Sequence, residues 1–183
     1  FAKKLKIIFP ILLMLILYVN HKYIFPNSFV YFSSNLFAVR KKEVPKINLI
    51  DKENNQFSLE KDKIIVLDFW STHCGICYKK FPIFNDLYGQ YKNNSSIKFY
   101  SIHVPFKGDT LNNSFKILDK YNYSFPQLFA IDNEEIEEML NVSFFPTILI
   151  LKDNEIRYKG QLIVDKNIIF RNTIYNIESL LNE

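Results

Sequence analysis

The chain has 183 residues, enough for one domain and a little more, and 48% of them are apolar, so it can bury a real core. Its formal charge of +4 is unevenly placed: eight of the 23 basic residues, but one of the 19 acids (Glu43), lie at or before Lys46. That leaves +7 on the leader and −3 on the rest, which argues against a nucleic-acid-binding body and points the leader at a membrane surface.

The leader FAKKLKIIFPILLMLILYVNHK carries three lysines and then an apolar run from Ile7 to Val19. As a helix that run covers roughly 20 Å, short of the ~30 Å hydrocarbon core of a bilayer. Its length suits a signal-peptide core or a short anchor. No small-residue cleavage site follows, only the bulky NHKYIFPNSFVYFSS, and no cysteine that could take a lipid. Snorkelling lysines and the flanking Leu5, Tyr18 and Tyr23 extend the effective span. The favoured reading is an uncleaved N-terminal membrane anchor or signal segment over residues 1–25, then a linker over 26–45 and a domain over 46–183. Lys3, Lys4 and Lys6 place the N-terminus on the cytoplasmic side, although Arg40, Lys41 and Lys42 put charge on the other side too.

The body then alternates strand and helix patterns. KINLIDKENNQFSLE reads as two short strands around a polar turn, Asp51 to Asn55, an N-terminal β-hairpin. KIIVLDFW, up to Trp70, has the β-branched apolar texture of a strand buried on both faces. Past two cysteines, Phe81, Phe84, Leu87, Tyr88 and Tyr91 recur at helical spacing, with Pro82 inside the segment as a source of a kink. SIKFYSIHV is a strand, and LNNSFKILDKY and DNEEIEEML are helix candidates, the second capped by Asp132 or Asn133. FFPTILILKDNEIRYKG reads as a hairpin turning at Asp153–Asn154, and Phe170, Ile174, Ile177 and Leu181 share one face of a closing helix. This order, β-β, β-α-β, α, α, β-β, α, implies an α/β layered fold.

The two cysteines, Cys74 and Cys77, lie three apart in LDFWSTHCGICYKKFP. A c-type haem site needs His after the second cysteine, and Tyr78 stands there. A structural zinc site needs about four ligands, and no second C-x-x-C exists to help His73, His103 or a carboxylate supply them. Two inert core thiols remain conceivable. The favoured reading is a redox dithiol, because Cys74 follows a buried strand and opens a helix, where free N–H groups and the helix dipole stabilise a thiolate. Cys77 lies one turn later on the same face, within disulfide reach, which makes Cys74 the attacking sulfur and Cys77 the resolving one.

VLDFWSTHCGICYKKFP resembles the active-site segment of the thioredoxin fold, usually FWAxWCxPCxxxxP, and the match runs to Pro82. NVSFFPTILILKDNEIRYKG resembles the same family's cis-proline segment and closing hairpin. The anchor, the extra N-terminal hairpin and the stretch from Asp119 to Val142 resemble the extracytoplasmic TlpA/ResA-like subgroup, and the resemblance covers about residues 47 to 183. It implies a central mixed sheet flanked by helices, a cis bond at Phe145–Pro146 beside the disulfide, and exchange of disulfides with protein thiols outside the cytoplasm of a bacterium. No cofactor is called for. In the subgroup the common role is reducing specific partners, cytochrome c precursors among them. By the same resemblance Asp68 is the buried acid beneath the site, either a proton acceptor for Cys77 or a strand-end carboxylate meeting water. Trp70 matches the aromatic that covers the site, or simply fills the core.

Three positions depart from the family pattern. His73 replaces a tryptophan and either tunes Cys74 as an imidazolium or is an exposed loop residue. Ile76 replaces the proline between the cysteines, and Lys80 replaces the subgroup's carboxylate three residues after the second. Two other functions compete with the oxidoreductase. One is a copper- or zinc-handling module that adds His103 to the cysteines, if His103 is not merely a surface histidine. The other is a peroxidase, whose P-x-x-x-[ST]-x-x-C pattern fits Ser71 but meets Leu67 at the proline.

Overall fold

The computed structural model describes residues 42–106, 108–161 and 166–183. Eight strands form one sheet: β1 (Lys42–Glu43), β2 (Leu49–Ile50), β3 (Gln56–Phe57), β4 (Ile64–Trp70), β5 (Ile97–His103), β6 (Gln127–Ala130), β7 (Thr147–Lys152) and β8 (Glu155–Gln161). Among the described residues four helices accompany them: α1 (Gly75–Tyr91), α2 (Leu111–Tyr121), α3 (Asn133–Leu140) and α4 (Lys166–Leu181). The strand order is β1-β8-β7-β4-β5-β6-β2-β3, with β4–β5 and β5–β6 parallel and every other pair antiparallel. This is the mixed α/β sheet expected, with the N-terminal hairpin β2–β3 extending it beyond β6.

All seven residues of β4 are buried, because successive side chains serve opposite cores. Ile65, Leu67 and Phe69 face a cluster with Ile102, Leu149, Ile136 and Leu140. Ile64, Val66 and Trp70 face the other cluster, where α1 contributes Cys77, Phe81, Phe84 and Leu87 and α4 contributes Ile177 and Leu180. Phe170, Ile174 and Leu181 pack against that second cluster, so the expected face of α4 is the one used. Pro82 lies within α1 and has no N–H to offer the carbonyl of Tyr78. Asp132 caps α3 by accepting from the Glu134 amide at 2.9 Å. Asp153 and Asn154 make the β7–β8 turn with φ of 55° and 61°, left-handed values that Asp and Asn tolerate well.

Two elements differ from the sequence reading. No element was expected between the helix candidates LNNSFKILDKY and DNEEIEEML, yet Gln127–Ala130 forms β6, parallel with β5 and antiparallel with β2. Four residues after a proline show too little alternation to announce a strand; Leu128, Phe129 and Ala130 are buried by neighbours distant in sequence. The end of the segment read as linker also joins the sheet: β1 pairs with β8 and Val44 is buried. The anchor expected over residues 1–25 lies outside the described residues; among those described, no helix is long and apolar enough to cross a membrane.

Candidate active site

β4 delivers the chain to the C-terminal edge of the sheet, and four residues, Ser71 to Cys74, separate its end from the start of α1. In the turn between, the Cys74 amide donates to the Ser71 carbonyl at 3.1 Å. Cys74 is the N-cap of α1, and its sulfur accepts from the Cys77 amide at 3.1 Å. The two cysteines form a disulfide with Cα atoms 5.3 Å apart. Cys74 is partly exposed and Cys77 is buried at 1%. An incoming nucleophile or disulfide therefore reaches Cys74 first, at the end of the helix where a sulfur anion is best stabilised. Ile76, between them, projects into solvent.

One turn below Cys77 lies Lys80, buried at 4%, and its Nζ donates to Asp68 Oδ1 of β4, itself 1% exposed. The sequence offered solvent as one fate for Asp68; it is instead buried, and its partner is Lys80. Burial pushes the Asp68 carboxyl up, and the Lys80 charge opposes that without cancelling it. Burial likewise pushes the Lys80 ammonium down against the pull of Asp68. Asp68 Oδ2 has no hydrogen-bond partner, nor has the hydroxyl of Ser101, its neighbour in register on β5.

The Phe145–Pro146 bond is cis, as expected. Thr147 follows it, pairs with Phe69 of β4, and donates its hydroxyl to the Phe144 carbonyl at 2.7 Å. Pro146 is thus buried alongside the strand end from which the cysteine turn departs. Phe145 packs edge-on against Phe106, and Phe106 against His73, at centroid distances of 5.8 and 6.5 Å. His73 is exposed. Trp70 is fully buried in the cluster that holds Cys77, among Tyr78, Phe81 and His103.

His103 is not the surface histidine anticipated. It is 1% exposed between Trp70 and Phe129, and burial holds its imidazole down at about 4, so it is neutral near pH 7. Its Nε2 lies 3.5 Å from Asp109 Oδ2. Asp109 is the residue the sequence reading missed: a lone acid in the β5–α2 loop, with nothing local to mark it. Its carboxylate accepts from the Thr72 hydroxyl and from the Phe106 amide at 3.1 Å, and lies 3.7 Å from His73 Nδ1. Burial alone would raise this carboxyl, but the Thr72 and Phe106 hydrogen bonds, helped by the two imidazoles, hold it below the usual range. Among the described residues no group of three or more His, Cys, Asp or Glu is arranged to hold a metal ion.

A family model described as thioredoxin-like matches residues 62–156, just over half of the chain and including both cysteines and Pro146. The chain belongs to the thioredoxin-like family. Within it, the chain groups with thiol–disulfide oxidoreductases of the ResA kind. The thiol–disulfide oxidoreductase ResA of Bacillus cereus is 30% identical over 158 residues, 84% of this chain and 87% of that protein. ResA of Oceanobacillus iheyensis is 28% identical over 120 residues, 64% of this chain but only 60% of the relative's length. A solved thiol:disulfide interchange protein from Bacteroides sp. shares the fold, with a TM-score of 0.62 at 19% identity over 80% of this chain and 92% of that one.

Proposed function

We propose that this chain is a membrane-tethered thiol–disulfide oxidoreductase facing the periplasm or cell exterior of a bacterium, and that it reduces disulfides in protein partners, in the manner of cytochrome c maturation. The observation that carries the activity is the asymmetric pair: a partly exposed Cys74 at a helix N-terminus, bonded to a buried Cys77. In the reducing direction the Cys74 thiolate attacks one sulfur of a partner disulfide, and the other partner sulfur leaves as a thiolate. Cys77 gives up its proton and attacks Cys74 Sγ, the partner's second sulfur departs, and the Cys74–Cys77 disulfide forms. Two electrons pass to the partner. Asp68 serves as proton acceptor for Cys77; burial raises its carboxyl, which makes it a better base toward a thiol. Pro146 and Phe145 take the family's place for the residues that border the exchanging sulfur, supported by the pairing of Thr147 with Phe69 at the end of β4, and His73, next to Cys74 in sequence, forms part of the rim. The tether is supported by the basic, apolar leader ahead of Val19.

The test is the reduction potential of the Cys74–Cys77 couple in the full chain, equilibrated against thiol–disulfide buffers. A value of about −270 mV or lower is expected of a reductant. A value of roughly −120 to −180 mV would reverse the direction to oxidant or isomerase. Absence of any reversible couple would remove the oxidoreductase reading itself.

A further inference from the structure

The turn that presents Cys74 is held at one residue from two sides. The Thr72 hydroxyl donates to Asp109, and the Thr72 carbonyl accepts from the Tyr78 hydroxyl of α1. Asp109 is anchored in turn: its carboxylate takes the Phe106 amide, and its own amide donates to the Phe106 carbonyl at 2.8 Å. The side chain is only 5% exposed. Through the same loop Phe106 reaches Phe145, the residue before the cis proline. One carboxylate therefore ties together the cysteine turn, the β5–α2 loop and the cis-proline loop. A buried acid near a dithiol that must form a thiolate is, on charge alone, unfavourable, since like charges repel. Its presence calls for a compensating role.

We propose that Asp109 is a positioning residue for the dithiol chemistry: by clamping Thr72 it holds Cys74 on the axis of α1, where the helix N-terminus stabilises the thiolate. This rests on the oxidoreductase reading for its biological use. The two ways a carboxylate can act on Cys74 have opposite signs. Acting only as a negative charge, Asp109 raises the Cys74 thiol pKa, and its removal lowers it. Acting as a clamp, it keeps the sulfur over the free amides of α1, and its removal raises the pKa as the turn loosens. The charged or titratable groups facing it are His73, His103 and Tyr78, and Lys116 lines a surface pocket together with Thr72, His73 and Asp109.

The experiment compares the reduced full chain with Asp109→Ala, Asp109→Asn and Thr72→Val, reading the Cys74 thiolate by ultraviolet absorbance against pH and its rate of reaction with a small disulfide. Asp109→Ala is expected to raise the thiol pKa by about one unit and to slow the reaction several-fold at pH 7. Thr72→Val, which cuts the clamp from the other side, should reproduce this, and the double variant should be no worse than either alone. Asp109→Asn should restore most of the wild-type value, because an amide can still accept from Phe106 and donate to Thr72 without carrying charge. A fall in pKa in Asp109→Ala, or no change in both Asp109→Ala and Thr72→Val, would overturn the proposal. A wild-type chain that exchanges no disulfides would fail the oxidoreductase reading instead, while the pKa comparison still decides what Asp109 does.

Discussion

Replacing Lys80 by Met keeps the length of the side chain and removes its charge, which leaves Asp68 buried without its partner. Breaking a buried pair from one side costs about 3–5 kcal/mol when the survivor stays charged. Asp68 can escape by taking up a proton. The ceiling on that route at pH 7 is the free energy of protonating a free carboxyl, about 1.4 kcal/mol for each unit above an ordinary pKa of roughly 3.9, or about 4 kcal/mol. Both routes give the same size of loss, which for a chain of this length lowers Tm by about 8–16 °C. The two differ from a packing defect in their pH dependence. A carboxyl whose folded pKa is raised contributes no penalty below its unfolded value and loses stability as pH rises. At pH 4.5 the protonation route therefore costs less than about 1 kcal/mol. Thermal unfolding of oxidised wild type and Lys80→Met, followed by circular dichroism at pH 7 and pH 4.5, should show a large gap that nearly closes on acidification. An equal gap at both pH values would refute the electrostatic reasoning and leave lost packing as the cause. The paired replacement Asp68→Leu with Lys80→Met should recover most of the stability, since a buried ion pair often contributes little net free energy over an apolar pair.

Cys74→Ala should abolish disulfide exchange, and Cys77→Ala should accumulate mixed disulfides with membrane-associated proteins, seen as species that collapse on reduction; exchange surviving in Cys74→Ala would contradict the assignment of the attacking sulfur. His103, held near 4 in the folded state against about 6.5 when unfolded, should cost stability as pH falls from 6.5 to 4, by about 3 kcal/mol in all. In His103→Phe that part of the acid limb should flatten, and an unchanged limb measured by urea unfolding would show that other groups carry it.

The elements most legible in the sequence were those defined by local pattern. β4 announced itself by an unbroken β-branched run, the β7–β8 turn by Asp153–Asn154, and α1 by its aromatic spacing. The dithiol was legible from two cysteines at a strand–helix junction, whereas the cis bond at Pro146 came only through family resemblance. What escaped was what depends on distance in sequence. Asp68 and Lys80 were each noticed, but their pairing spans β4 and α1 and has no local signature. Asp109 meets Thr72 across 37 positions and looks like any loop acid. The buried state of His103 did have a signal: Phe99, Ser101 and His103 alternate along one face of β5, and that face looks into the core.

The chain enters the domain at the end of the sheet opposite the dithiol. β1 pairs with Glu155 and Ile156 at the start of β8, and the Val44 amide donates to the Asn154 carbonyl in the turn that ends β7. β7 begins at the opposite end, next to Phe69 and the cis proline. A six-residue strand spans about 20 Å, so the point of entry and the exchanging sulfur sit at opposite poles. Anything that holds the chain ahead of Lys42 grips the domain by its base. The segment that enters at this base and the partners that meet Cys74 therefore do not compete for the same end of the domain.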